Sequence, residues 1–283
     1  MAINVYELVT NRIISELENG IIPWEKPWSG SASGAFNRIS RKPYSFINQM
    51  LLKHSGEYAT FNQWKSIGGR IRKGERAEIV VFWKVYQKEL DEIDPETGKK
   101  KVQTIPTLKY YNVFHISQVE GVEPLEVTPE TREIEPIEEA EKLIQNYVER
   151  EQLSFKEQQS NEAYYSPLSD CVVVPEKKQF KEIAEWYSTT FHELTHSTGH
   201  KSRLNRLTTG KAAAFGSECY SKEELIAEIG SASIMNLLGI ETKHSFRNSA
   251  AYIQSWLKVL KNDIRFIVSA ASKAEKAVDY IMG

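Results

Sequence analysis

The chain has 283 residues, 36 lysines and arginines against 38 aspartates and glutamates, and 41% hydrophobic residues, enough for two packed domains. No apolar run approaches the roughly eighteen residues needed to span a bilayer, and the N-terminal MAINVYELVT lacks the basic region and apolar core of a secretory signal, so a soluble protein is expected. Two cysteines, Cys171 and Cys219, provide neither a disulfide framework nor a CxxC pair, and a reducing cytoplasm is the expected compartment.

Residues 4 to 19 place Val5, Leu8, Val9, Ile13, Ile14 and Leu17 on one stripe, which predicts an amphipathic helix ended by Gly20. In the next segment Pro23 and Pro27 forbid helix, and Trp24 and Trp28 need a surface: they either cover the first helix or stack on a base. Between Arg38 and Arg76 there are nine cations against Glu57 and Glu75, a local charge of +7. Arg38, Arg41, Lys42, Lys65, Arg70, Arg72 and Lys73 belong to this set, and aromatic residues such as Tyr44 and Trp64 are interleaved with it. Cations for phosphates and flat faces for unstacked bases are what single-strand binding needs, although a charge cluster also arises on an ordinary solvated face. The strongest stretch is residues 60 to 74, TFNQWKSIGGRIRKG, where a short helix leads to a glycine pair that lets backbone approach a phosphate.

Ala77 to Tyr86 and Leu108 to Ile116 read as two buried strands, with a polar hairpin tip between Leu90 and Lys101. Residues 117 to 151 carry eleven acidic residues against three basic ones, a charge of −8. Three prolines mark an extended linker there, helix resumes near Ile137, and repulsion predicts that this acidic strap faces away from DNA. Residues 163 to 174 predict a hairpin ending in a strand before Pro175.

Phe180, Ile183, Ala184, Tyr187, Phe191 and Leu194 recur at helical steps, so the pentapeptide His192-Glu193-Leu194-Thr195-His196 falls late in a helix over residues 180 to 198. Gly199 is expected to end that helix in the left-handed conformation. His192 and His196 then stand one turn apart on one face, the spacing at which two imidazoles bind one Zn2+ or another divalent ion. Glu193 projects beside the ion as a general base that takes a proton from the attacking water. Such a pentapeptide also occurs by chance, and a catalytic site needs a third ligand. Downstream, YSKEELIAEIG carries Glu224 and Glu228 on one helical face. Glu224 is the favoured ligand, with Glu228 placed behind an imidazole N–H. The competing reading has Ser221 and Glu224 as a capping box and Glu228 as ligand. Tyr220 is a candidate donor to a developing oxyanion, residues 203 to 219 a loop over the cleft, and residues 247 to 282 scaffold helices.

HELTH and EELIAE, with the preceding YYSPLSDCVVVP and the following SRLNR, resemble the metallopeptidase half of the ArdC-type antirestriction proteins. The arrangement is also similar to that of gluzincins, where an aspartate is usual at the position of Glu228. The N-terminal half resembles the ArdC-type N-terminal domain through VTNRIISELENGIIPWEKPW, NRISRKPYSFIN, TFNQWKSIGGRIRKGE, VVFWK and NVFHISQVEG. The resemblance implies non-specific binding of single-stranded DNA, a zincin-like fold whose strand before the active-site helix takes up an extended peptide, and a mobile-element protein; the sequence does not name the protein substrate, for which a host defence protein met near the incoming DNA is one candidate.

The expected fold class is α+β: N-terminal helices with a small antiparallel sheet, then a mainly helical zincin-like domain with a small edge-strand sheet. Expected boundaries are 1–119 for DNA binding, 120–136 for the linker and 137–283 for the metallopeptidase. A protection protein that binds DNA around a structural or vestigial metal site, without proteolysis, is the alternative.

Overall fold

A computed structural model describes residues 4–25, 34–93, 100–125, 136–207, 218–240 and 250–283. Helix α1, Val5–Glu18, starts where the Asn4 side chain accepts from the Tyr6 N–H and ends before Gly20, whose φ is +76°. Its Val9, Ile13 and Leu17 are buried at intervals of four, as the stripe requires.

A four-stranded sheet follows in the order β1-β2-β5-β4, made of β1 (Ala35–Asn37), β2 (Gly56–Ala59), β4 (Glu78–Ile93) and β5 (Lys100–His115). β1 and β2 are parallel; the other neighbours are antiparallel. The predicted pair of strands is present but far longer than expected, 16 residues in each. Its outer half is exposed on both faces, so it gives no alternating signal, yet its two strands satisfy each other's backbone groups. The expected turn residues Asp94 to Gly98 lie outside the described residues, as does Trp28.

Around this sheet sit α2 (Phe46–Leu51), α3 (Phe61–Ser66) and a two-stranded sheet of β3 (Arg70–Ile71) with β6 (Val119–Glu120). Thr60 and Gln63 form a capping box that starts α3. Within the expected phosphate loop Gly69 serves the protein instead: a Cβ there would lie 2.9 Å from Val119 Cγ1 and 3.1 Å from the Trp64 carbonyl. The glycine is needed for close packing of α3 on β6.

In the C-terminal half, α4 (Pro136–Glu151) opens on its proline, the position proline favours. The acidic linker's residues 126–135 lie outside the described ones. Its first turn is not turned away from the basic segment: Arg38 pairs with Glu57 and donates to the Glu123 carbonyl, while the Leu125 N–H donates to Glu57. A three-stranded sheet has the order β7-β9-β8, from β7 (Ser154–Gln158), β8 (Tyr164–Ser166) and β9 (Cys171–Pro175). β9 is buried throughout and flanked on both sides, so the edges of this sheet belong to β7 and β8 rather than to the strand next to the helix. Four helices complete the fold: α5 (Ile183–Ser197), α6 (Glu218–Leu238), α7 (Ala250–Asn262) and α8 (Phe266–Met282).

Two large apolar clusters organise these elements. One gathers Val9, Leu17, Trp24, Met50, Val81 and Leu108 from the N-terminal half with Ile226, Trp256, Leu260 and Ile267 from the C-terminal half. The other packs α4, β9, α5 and the ends of α6 and α8 together. α6 and α8 contribute to both, so the expected segment boundaries do not separate the hydrophobic cores. Trp24 and Trp256 meet edge to face at 5.2 Å in the first cluster, each only 1% exposed. Trp256→Ala is therefore expected to cost about 3–5 kcal/mol, measured as a shift of the urea midpoint; a change below about 1 kcal/mol would show that the two halves do not depend on this contact.

Candidate metal centre and basic surface

Helix α5 carries His192, Glu193 and His196 as buried or largely buried groups, with Phe191 and Leu194 facing the second apolar cluster. Its partner α6 presents Glu224, Glu228 and Ser231, spaced i, i+4 and i+7, to α5. Gly230 makes the approach close: a Cβ there would lie 2.7 Å from Thr195 Cγ2. Thr195 turns its hydroxyl to the Phe191 carbonyl at 2.7 Å, and Ser231 donates to the Ser188 carbonyl at 2.7 Å, which ties the two helices together.

The consequence is convergence. His192 Nε2 and His196 Nε2 are 3.0 Å apart, and they lie 3.4 and 3.3 Å from the two Glu224 oxygens. His192, His196 and Glu224 offer ligand atoms that all lie within 4.8 Å of one another, a metal-binding group. The capping-box alternative for Glu224 is overturned, because α6 is already helical from Glu218 and Ser221 lies inside it. Glu228 faces the other nitrogen of His192, with Oε1 3.5 Å from Nδ1. Two imidazoles and one carboxylate, each imidazole backed by an acid, fit the donor chemistry of a divalent ion with an open coordination position.

The acid behind His196 is Glu223, 3.6 Å from Nδ1, which the motif reading did not single out. Arg206 holds Glu223 at 2.8 Å and also donates to the Thr195 carbonyl and Thr198 hydroxyl at the end of α5. Arg203 donates to the Ser197 carbonyl and pairs with Asp170, which in turn accepts from the Tyr165 hydroxyl. Thus the two arginines of SRLNR cap the helix that carries the histidines and link it to Glu223 and to the β8–β9 hairpin. A pair of cations just past a helix end is the signal that points to this role. Gly199 is not left-handed as expected; Thr198, with φ −60° and ψ −20°, closes the helix. Gly199 is small because Leu207 Cγ would stand 2.8 Å from a Cβ there. His200 bonds Ser202 through Nδ1 at 2.7 Å and takes no part in the convergence. Tyr220 lies in the first turn of α6, its side chain outside the described ones, as are residues 208–217 of the loop expected over the cleft.

Burial disfavours a charged His196, yet hydrogen bonds to Glu223 and Glu224 and the nearby Glu193 charge outweigh it and push the imidazole up to about 10. Burial likewise opposes the Glu224 carboxylate, but His192 and His196 hold it well below the usual carboxylate range. Without a metal, a proton on His196 supplies the positive charge this acidic nest requires.

The predicted DNA residues divide by exposure. Arg41, Lys42, Lys65, Arg70, Arg72 and Lys73 are exposed, Arg72 while paired with Glu75, and Arg38 is mostly buried in its pair with Glu57. Trp24, Tyr44 and Trp64 are core residues, and the Trp64 Nε1–H donates to the Phe114 carbonyl at 2.9 Å. None of these three offers a free ring face to a base.

Residues 138–273, which contain both imidazoles and Glu193, Glu223, Glu224 and Glu228, match the family described as zincin-like metallopeptidase. Residues 3–114 match the N-terminal domain of the anti-restriction factor ArdC. The fold is similar to that of antirestriction protein ArdC from plasmid R388, in crystal structures described as metal-free and Mn(II)-bound. The TM-scores are 0.76 and 0.75, with 33% identity over 99% of this chain and 97% of that one. The chain is 34% identical to the uncharacterized protein y4eC of Sinorhizobium fredii, over 98% of its own length and 91% of that protein's. Two DNA primases TraC of Escherichia coli are 33% and 34% identical, but the chain spans only 20% and 27% of their lengths.

Glu224→Ala should weaken metal binding at least about a hundredfold, and Glu228→Ala by about 10- to 100-fold, both read by titration calorimetry; the reverse order would make Glu228 the ligand. Metal must displace the His196 proton, so apparent affinity rises with pH and levels off only near 10. Calorimetry at pH 7.5 in two buffers of different ionisation enthalpy should register that proton leaving the protein, and an identical heat in both would contradict the assignment.

Proposed function

The chain belongs to the ArdC family, and on that premise we propose an antirestriction protein that binds single-stranded DNA non-specifically and cleaves a protein substrate, a host defence protein met where the DNA enters. The convergence of His192, His196 and Glu224, with a carboxylate behind each imidazole, is the observation that carries the hydrolytic half of this reading. These residues would hold the ion, with zinc the favoured identity, and a bound divalent ion supplies Lewis-acid polarisation of the scissile carbonyl.

The remaining chemistry belongs to the chain. Glu193, buried next to His192, accepts the proton of the attacking water and delivers it to the departing amine. Glu228 and Glu223 fix the orientation of the imidazoles, and Arg206 keeps Glu223 ionised and in place. Tyr220, four residues before Glu224, is the proposed donor to the carbonyl oxygen as it gains charge. An extended substrate pairs with the outer edge of β8.

The DNA-binding half rests on the match of residues 3–114 and on the exposed cations of the basic segment. Arg41, Lys42, Lys65, Arg70, Arg72 and Lys73 are the proposed phosphate contacts, bound with steep salt dependence and little regard for sequence.

Glu193→Gln separates hydrolysis from binding. In a restriction-proficient recipient, incoming DNA should lose its protection with this variant while the purified protein keeps full metal stoichiometry and affinity for a labelled single strand. Protection equal to that of the parent chain would remove proteolysis from the function and leave binding alone.

A further inference from the structure

Trp24, Tyr44 and Trp64, expected to stack on bases, are enclosed, yet another set of rings is displayed on the paired strands β4 and β5. Register places Val80 opposite Tyr111, Phe82 opposite Lys109, Lys84 opposite Thr107, Tyr86 opposite Ile105 and Lys88 opposite Gln103. Side chains alternate along a strand, so these ten residues share one face. On it Phe82, Tyr86 and Tyr111 are 47%, 40% and 43% exposed. Phe82 meets Tyr111 at 6.0 Å and the buried Tyr44 at 6.2 Å, while Lys84 and Lys109 stand 5.4 and 5.9 Å from the centre of the Tyr86 ring.

The two faces of the ribbon differ. The opposite one turns Ile79, Val81, Leu108 and Tyr110 into the first apolar cluster and sets Trp83 edge to face on Tyr6 of α1. Among the described residues, the open face is covered only at its root, where Val80 and Val113 pack with Tyr44. Between Val80 and Lys88, and between Gln103 and Tyr111, its only charged residues are Lys84, Lys88 and Lys109, all exposed.

We propose that this open face is the base-stacking platform of the protein, and that its occupant is single-stranded DNA. The proposal rests on the DNA-binding reading above and deepens it. A ligand matched to rings alternating with lysines, and to no carboxylate, is a polyanion that carries flat apolar groups. A duplex keeps its bases stacked inside; a single strand presents them. Alternate residues advance by about 6.8 Å along a strand, so each ring has room for one base while the lysines between them meet phosphates. The lysines beside Tyr86 would then add their charge to a stack that is sequence-tolerant, because every base has a flat face.

The test is fluorescence anisotropy of the full chain with a labelled single-stranded oligonucleotide at several salt concentrations. Phe82→Ala, Tyr86→Ala and Tyr111→Ala should each weaken binding by about tenfold, with unfolding temperatures unchanged because the rings are exposed. Lys84→Ala and Lys109→Ala should each flatten the salt slope by about 0.7. Val85→Ala, 60% exposed on the opposite face, should change nothing. A bromodeoxyuridine oligonucleotide irradiated with the parent protein should cross-link to peptides containing residues 82–86 or 109–111, which tests the site without relying on variants. Tight binding by the parent, undiminished in the three ring variants and cross-linked elsewhere, overturns the platform while leaving the DNA reading intact. No binding by the parent overturns both, and a parent that instead self-associates through this face, losing that association in the ring variants, assigns the patch to a second copy of the chain.

Discussion

The structure depends on how closely α6 can press against α5. Gly230 against Thr195 sets that distance, since any side chain at 230 would collide with the threonine. The spacing brings Glu224 from one helix to both imidazoles of the other, something no local spacing can do. It also concentrates Glu193, Glu223, Glu224 and Glu228 around two histidines in a largely buried volume. Burying charge is costly unless it is matched. Arg206 matches Glu223, and the centre itself is completed by a proton on His196 or by a cation. The same electrostatic demand that would destabilise an apolar core therefore creates affinity for a metal.

Position around this contact is maintained from the far end of α5. Arg203 and Arg206 donate to the Ser197 and Thr195 carbonyls in the last turn of the helix, and each reaches a carboxylate on another element, Asp170 beside β9 and Glu223 on α6. One short segment after the helix thus fixes its last turn, the acid behind His196 and the β8–β9 hairpin. In the proposed reaction that hairpin is where peptide lies, so the substrate edge and the metal ligands share one set of anchors.

How much of this was legible followed from range. The histidine pair was readable because one helical turn sets its relation. Glu224 was favoured over Glu228 but not separated from it by spacing alone, since both lie on one face of α6, and it is the packing of α6 on α5 that brings Glu224 to both imidazoles. Glu223 was overlooked because it is one position off that face in sequence, although its carboxylate reaches His196 Nδ1. The aromatic residues misled for a related reason: Trp24, Tyr44 and Trp64 sit among cations along the chain but face the core, whereas Phe82, Tyr86 and Tyr111 sit in strands that read as buried. Gly69 and Gly199 likewise read as conformational freedom and prove to be close approaches.

In the proposed function the shared core gives DNA binding a direct bearing on cleavage. Trp24, Val81 and Leu108 pack in one cluster with Ile226, which lies between Glu224 and Glu228 on α6. A strand held on the ribbon is therefore held by the same apolar body that positions the metal ligands, and no flexible connection need be crossed. Tethering of this kind raises the effective concentration of any protein bound nearby on the same DNA, to the order of millimolar for short spans. A peptidase edge as short as β8, three residues long, makes few backbone hydrogen bonds and would bind an isolated peptide weakly. Selectivity for proteins already on the incoming strand then requires no specific pocket: proximity supplied by DNA does what the peptide edge alone cannot.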